Sequence, residues 1–309
     1  MSADKIEADT SCCASCGVAA GDEVRLKNCT ACYLVKYCSI TCQREHRRLL
    51  KKECRTRAAE LRDEILFKQP ESSHYGDCPI CMIPLSLDVK KSIMQTCCSK
   101  VICKGCDHAN EIREEEASLE PSCPFCRTPI PDTDEGCDKQ RRKRIEANDP
   151  AAMRQEGIRK YRSGDFTSSF EFCSKAAEVG DAMAHYQLSL LYQEGYGVEK
   201  DEKKDIYHLE EAAIGGHPKA RYNLGCHEYR CNDNTERAVK HLIIAASQGD
   251  NDSIKVLMGP LFSWVVKKEE LAAALRAHHA AVDATKSPQR EAAEAFDRIQ
   301  DTIDVEDSN

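Results

Sequence analysis

The stretch AMAHYQLSLLYQEGYGVEKDEKKDIYHLEEAAIGGH, from Ala182 to His217, decides the architecture of the carboxyl half. Its opening Ala182-x3-Tyr186-x-Leu188 returns as Ala220-x-Tyr222-x-Leu224-Gly225, with the two tyrosines 36 residues apart. Alanine pairs recur at Ala176-Ala177, Ala212-Ala213 and Ala245-Ala246. Each is followed by a small-residue turn: Val179-Gly180-Asp181, Gly215-Gly216-His217 and Gln248-Gly249-Asp250. Small alanines permit close helix contacts and glycine ends helices, so a period of this length describes stacked helical hairpins that bury their apolar faces against one another.

Tyr192-Gln193-Glu194-Gly195-Tyr196-Gly197-Val198, then Asp201, Tyr207 and Ala212-Ala213, resemble a Sel-like repeat, a relative of the tetratricopeptide hairpin. The following copy is shorter and lacks the Gly-x-Gly loop, and the preceding copy, around Gly157 to Gly180, is less exact. The expected array is about three hairpins, with a final helix from Ser253 to Val266. A helix from Lys267 to about Thr285 caps it, and the acidic residues after Thr302 fray. Tyr186, Tyr192, Tyr207 and Tyr222 are candidates for a peptide groove, but the bulk that repeat cores require favours a packing role.

The amino-terminal half is governed by cysteine. Of 20 in 309 residues, 16 fall between Cys12 and Cys126. Cys-x-x-Cys occurs at Cys13/Cys16, Cys29/Cys32, Cys78/Cys81, Cys103/Cys106 and Cys123/Cys126. Two thiolates in one tight turn reach one tetrahedral zinc, whereas a disulfide framework has no reason to repeat that spacing. Free thiols, the absence of a secretory signal and the lack of an apolar run of about 18 residues give the expectation of an intracellular, non-membrane protein. A net charge of -8 argues against a surface built for nucleic acid.

In the first module Cys13, Cys16, Cys38 and Cys42 suit one ion, and Cys29, Cys32, His46 and Cys54 a second. Cys12 competes with Cys13, and regular spacing favours Cys13. Tyr37-Cys38-Ser39-Ile40-Thr41-Cys42-Gln43 and Lys51-Lys52-Glu53-Cys54 resemble the MYND zinc finger, which implies a protein-interaction module whose partners are often short and proline-rich. Leu50 stands where the family's histidine is usual and Arg47 where its tryptophan is. His46, one helical turn before Leu50, is the substitute ligand on the same face. Arg55 to Gln69 then forms an amphipathic helix, and the basic flank Arg44 to Arg57 is read as a solvated face.

In the second module the pairs alternate: Cys78, Cys81, Cys103 and Cys106 for one ion, Cys97, Cys98, Cys123 and Cys126 for another. Adjacent cysteines share a metal only on an unusual backbone. Cys78-Pro79-Ile80-Cys81 and Cys123-Pro124-Phe125-Cys126-Arg127 resemble a RING finger of the all-cysteine kind, with Lys100 at the usual histidine position and His108 as a lesser alternative. The resemblance implies a ubiquitin ligase that docks a ubiquitin-conjugating enzyme, with Ile80 as its apolar contact and Arg127 as the cationic clamp. A binding-only finger is the competing reading.

The expected fold is therefore small zinc-stabilised domains followed by an all-α Sel-like, tetratricopeptide-related repeat domain. The segments are a MYND-like finger (10–56), an amphipathic connector (57–75), a RING-like finger (76–130), a charged linker (131–148), about three repeats (149–262) and a capping helix with acidic tail (263–309). Four Zn2+ ions and protein partners are expected. The run Lys139 to Arg144 is a nuclear import patch, a polyanion contact or the charged opening of a helix, and with the flank Arg44 to Arg57 it is the main support for the lesser alternative of a nucleic-acid-binding regulator to the ligase and scaffold readings. Neighbouring His278 and His279 do not share a metal on one helix face.

Overall fold

A computed structural model describes residues 12–306, apart from 22, 23, 34 and 50. The chain forms two units, 1–68 and 69–309.

In the first unit β1 (Lys27–Asn28) pairs antiparallel with β2 (Lys36–Tyr37), placing Lys27 opposite Tyr37. Helices α1 (Ile40–Leu49) and α2 (Lys51–Leu66) follow. The buried centre consists of Cys13, Cys29, Cys32, Cys54 and Tyr37, rimmed by Ala14, Leu26, Ala31 and Val35. Such a core buries too little hydrocarbon to hold a fold of this size, the situation in which small domains rely on metal.

The second unit opens with a hairpin of β3 (Ser92–Met94) and β4 (Val101–Cys103), in the register Ser92 opposite Cys103, and then α3 (Lys104–Glu116). Cys78, Leu85, Ile102, Cys103 and Cys106 form the buried cluster of this module. The segment expected as a charged linker is instead largely helical, α4 (Asp134–Glu146). Thr133 caps it by accepting from the Gly136 N–H, and Arg141 is tied to Asp138 and Glu156. Arg144 pairs with Asp149. Two of the five basic residues of that run are thus committed to ion pairs within the fold.

Three helical hairpins follow: α5 (Pro150–Arg162) with α6 (Phe166–Glu178), α7 (Ala182–Glu194) with α8 (Glu202–Ile214), and α9 (Pro218–Arg230) with α10 (Thr235–Ser247). Then come α11 (Asn251–Met258), α12 (Lys268–Asp283) and α13 (Pro288–Glu306). Every helix from α5 to α11 begins with a side-chain cap, from Asp149, Asp165, Asp181, Asp201, His217, Asn234 and Asp250 in turn. Such caps each contribute about 1 kcal/mol and fix where each helix starts. Ala176, Ala184, Ala212, Ala213, Ala220, Ala238, Ala245 and Ala246 are fully buried, which is what lets the helices approach closely. Around them Leu188 and Leu191 fill one core cluster, and Leu242, Leu257 and Phe262 another.

Of the repeat tyrosines, Tyr192 is buried, but Tyr207 is 52% exposed and meets His185 and His208 edge-on, so its expected core role is corrected. The capping helix expected from Lys267 to Thr285 corresponds to α12, and α13 was not anticipated. It lies along α3, with Lys104 Nζ 2.5 Å from Asp297 Oδ2, Lys91 Nζ 2.8 Å from Glu294 Oε1, and the Phe296 ring 4.6 Å from that of His108. Helix α13 continues past Thr302, after which fraying was expected, to Glu306. The last three residues lie outside the described ones. No helix among the described residues is long and apolar enough to cross a membrane.

Candidate metal centres

Five turns of one design carry ten of the fifteen clustered cysteines. In the turn at Cys13 the Gly17 N–H donates to the Cys13 carbonyl at 2.9 Å, and the Cys13 N–H donates to the Val18 carbonyl at 2.8 Å. The same pair of bonds recurs at Cys78 and Cys123, and at Cys29 with the N–H reaching one residue further, to the Val35 carbonyl; in each the residue after the second cysteine is left-handed: Tyr33 (φ 56°), Met82 (φ 57°) and Arg127 (φ 61°). Only the turn at Cys13 uses glycine there, Gly17. Three other side chains accept this strained region, about 1–2 kcal/mol each, which the remaining bonds of the turn must hold.

The fifth turn answers how adjacent cysteines cooperate. It begins not at a cysteine but at Gln95, whose N–H donates to the Lys100 carbonyl while its own carbonyl accepts from Ser99, and Ser99 is left-handed at φ 56°. Cys98 occupies the position that the second cysteine holds in the other turns, Cys97 precedes it, and both are half-buried. Their sulfurs reach different partners, Cys97 Sγ lying 3.4 Å from Cys126 Sγ and Cys98 Sγ 3.8 Å from Cys123 Sγ. Thus both cysteines join one cluster.

Four thiol clusters result, each with its sulfurs within 4.8 Å of one another: Cys13/Cys16/Cys38/Cys42, Cys29/Cys32/Cys54, Cys78/Cys81/Cys103/Cys106 and Cys97/Cys98/Cys123/Cys126. Nearest sulfurs stand 3.5 Å apart at Cys16–Cys38, 3.9 Å at Cys29–Cys54 and 3.8 Å at Cys81–Cys103. A tetrahedron with Zn–S distances of roughly 2.3 Å has edges of about 3.8 Å, whereas a disulfide needs about 2.05 Å. All these thiols are free. The donor sets therefore fit tetrahedral metal and do not fit disulfides.

Each cluster contains one thiol held below the usual range. Burial pushes Cys13 up, but the N–H groups of Cys16, Cys38 and Ser15 outweigh it and bring it down to about 6. Cys29 is lowered to about 7, its burial opposed by the Cys32 and Ala31 N–H groups. A hydrogen bond with Cys103 overcomes burial to hold Cys78 at about 4. At Cys126, burial is outweighed by the Thr128 hydroxyl and N–H, giving about 6. Hydrogen-bond donors thus favour a thiolate at one position of each cluster, the form in which cysteine binds metal.

The three-thiol cluster is where His46 was expected. Its ring nitrogens lie outside that group; Nδ1 is 3.2 Å from the Tyr37 hydroxyl. Cys42 and His46 share one face of α1, and Cys42 is drawn into the other cluster of the unit. Leu50 lies outside the described residues. Tyr37 is buried, and burial followed by the charges of Cys29, Cys32 and Cys54 pushes its hydroxyl up to about 12. It is therefore a neutral donor and acceptor beside that cluster. Cys12 is half-buried and joins no cluster.

Ile80 and Phe125 remain 41% and 42% exposed. Arg127 does not project freely: its Nη1 donates to Asn110 Oδ1 at 2.6 Å. Asn110 in turn donates to the Ser122 carbonyl at 3.0 Å. The spacing of the cysteines gave no signal for one further mixed group, Glu202, His227 and Cys231, which gathers at the ends of α8 and α9.

With this geometry in place, residues 13–54 match the MYND finger model. Residues 182–217 and 218–250 match the Sel1 repeat. The chain joins a cysteine-rich, zinc-finger-like region to a largely α-helical, Sel1-like repeat region. Among solved structures it is similar to a Sel1 repeat protein from Oxalobacter formigenes, at 27% identity over 39% of this chain and 96% of that one, with a TM-score of 0.35. No curated protein matches. The Sel1-type repeat region is a fold suited to protein–protein interaction.

Proposed function

We propose that this protein is a zinc-dependent, multivalent interaction scaffold, in which a MYND-type finger, a RING-like finger and a Sel1-type array each present a surface to protein partners in a reducing, intracellular compartment. The observation that carries this reading is the consumption of fifteen cysteines in four clusters whose donor geometry fits structural zinc. Sets of four thiolates leave no coordination position for a substrate or an activated water, so the metal's work is to hold shape. The recognition surface then falls to the repeats and the fingers' exposed residues.

We assign Cys13, Cys16, Cys38 and Cys42 to one ion, Cys78, Cys81, Cys103 and Cys106 to another, and Cys97, Cys98, Cys123 and Cys126 to a third. The fourth belongs to Cys29, Cys32 and Cys54, with His46 completing it through Nε2. The bond between His46 Nδ1 and Tyr37 supports this, since a metal-binding histidine characteristically spends its second nitrogen on such a partner.

A second reading, ubiquitin transfer from a conjugating enzyme docked on the RING-like module, draws support from the exposure of Ile80 and Phe125. The engagement of Arg127 by Asn110 tells against it, because a clamp must be free to reach across to ubiquitin. Cross-linking of the zinc-loaded full chain to its cellular partners, beside a reconstituted reaction with ubiquitin, activating enzyme and a panel of conjugating enzymes, separates the two. The scaffold reading expects cross-links to repeat helices and fingers, lost on chelation, with no polyubiquitin. Chains that form and vanish with Ile80→Ala or Arg127→Ala would replace it with the ligase reading.

A further inference from the structure

Arg290 is 8% exposed although it is an arginine on the last helix of the chain. Its Nη1 donates to the carbonyls of Pro84 at 2.6 Å and Thr285 at 2.8 Å, and its Nη2 to the Ile83 carbonyl at 2.9 Å and to Cys81 Sγ at 3.4 Å. Ile83 and Pro84 belong to the loop leaving the Cys78/Cys81 turn. The guanidinium therefore fixes one metal-binding loop by its backbone and touches one of its sulfurs, from more than 200 residues away in sequence.

Two features make this contact a built one. The backbone of α13 sits directly on α3 at Gly105, between Cys103 and Cys106: a Cβ there would stand 2.9 Å from Arg290 N, Cα and Cγ. The ion pairs Lys104–Asp297 and Lys91–Glu294 hold the same helix further along. A zinc ion with four thiolates carries a net charge of about -2. A buried cation donating to one of those sulfurs offsets that charge and draws density from the thiolate, as outer-sphere partners of metal ligands do.

We propose that Arg290 is the outer-sphere cation of the Cys78/Cys81/Cys103/Cys106 centre, and that α13, by delivering it, sets how long that centre keeps its metal. This rests on the zinc assignment above. Its consequence is a centre whose lability is governed by a distant helix: anything that lifts α13 loosens one ion and leaves the centre built on Cys97, Cys98, Cys123 and Cys126 as it was.

The test uses the full-length zinc-loaded chain. Metal release to a chromophoric chelator is followed in time, native mass spectrometry counts the remaining ions, and alkylation mapping reports which cysteines become reactive. Arg290→Gln and, independently, Gly105→Ala are compared with wild type. Alanine favours helix more than glycine does, so Gly105→Ala displaces α13 without weakening the intrinsic helicity of α3. Both variants are expected to release one ion about 10- to 100-fold faster, with new alkylation confined to Cys78, Cys81, Cys103 and Cys106. Arg290→Lys is expected to fall between, since an ammonium keeps the charge but cannot span the same carbonyls. Release at the wild-type rate in both variants overturns the proposal. So does equal acceleration at the Cys97/Cys98/Cys123/Cys126 centre, which would make Arg290 a general folding residue. A wild-type chain that binds no zinc would instead remove the assignment on which the proposal stands.

Discussion

Replacing Gly197 by alanine provides a quantitative test of how the repeats stack. Gly197 is left-handed at φ +70°, and a Cβ on it would lie 2.6 Å from the Phe166 carbonyl carbon, 2.7 Å from its oxygen and 2.8 Å from the Thr167 nitrogen. Those atoms are backbone, at the start of α6 in the preceding hairpin, so they cannot swing aside. The cost has two parts: about 1–2 kcal/mol for an L-residue in the left-handed region, and about 1–3 kcal/mol for forcing atoms into a filled contact. Gly195 supplies the internal control. It has nearly the same φ, +74°, but its Cβ would meet nothing closer than 3.4 Å, at the flexible Lys200 side chain. Gly195→Ala therefore bears the conformational part alone. In urea unfolding of the zinc-saturated chain, followed by helical circular dichroism, Gly197→Ala is expected to lose roughly 2–5 kcal/mol and Gly195→Ala about 1–2 kcal/mol. Equal losses would show that the Gly197 loop does not bear on the neighbouring hairpin, and the stacking account would fail there.

Other expectations concern the metal centres and the buried histidines. Cys97→Ser and Cys98→Ser should each lower the metal count by one, and the double variant should lose no further ion, as read by native mass spectrometry; tolerance of either single change would remove that cysteine from the ligand set. His46→Ala should cost the ion at Cys29, Cys32 and Cys54, while Tyr37→Phe should leave it bound but more readily chelated. Acid should weaken the second unit. Burial, then Arg154, lowers His74 to about 4, and burial, then Arg221 and Arg237, lowers His241 to about 3. Folded values below the unfolded 6.5 mean stability that is present above about pH 6.5 and is lost as pH falls toward 4 and 3. The loss is at most about 3 kcal/mol at His74 and about 5 kcal/mol at His241. His74→Phe, which stacks without titrating, should shift the acid midpoint of helix loss downward; an unchanged midpoint would refute the role given to His74.

Much of this architecture was legible because its signals are local. The Cys-x-x-Cys spacing describes a turn of fixed geometry, and the alternation of pairs within each module followed from that spacing, as did the period of the alanine pairs. What was illegible depends on atoms distant in sequence. That Cys97 and Cys98 share one cluster was expected from the alternation of pairs, but the backbone that permits it, the turn from Gln95 to Lys100, was not, since nothing in Gln95 announces that it takes the place cysteine holds in the other turns. Arg290 reads in sequence as one more charge on an amphipathic helix, and only the approach of α13 to Gly105 gives it a loop to hold. The helix α4 in place of a linker had local signals, the Thr133 cap, the acidic first turn and the basic last turn, whereas the pairing of Arg141 with Glu156 in the next helix was not legible. Tyr207 faces outward because the turn of α8 carrying it puts His208 and Leu209 inward instead.

The most direct test of the central claim is the metal content of the purified full-length chain, counted by native mass spectrometry under reducing conditions before and after chelation, with thiols released on metal loss titrated in parallel. Four zinc ions, with fifteen cysteines becoming reactive as they leave, are expected. A metal-replete chain that carries none, with its cysteines freely reactive from the outset, would contradict the account.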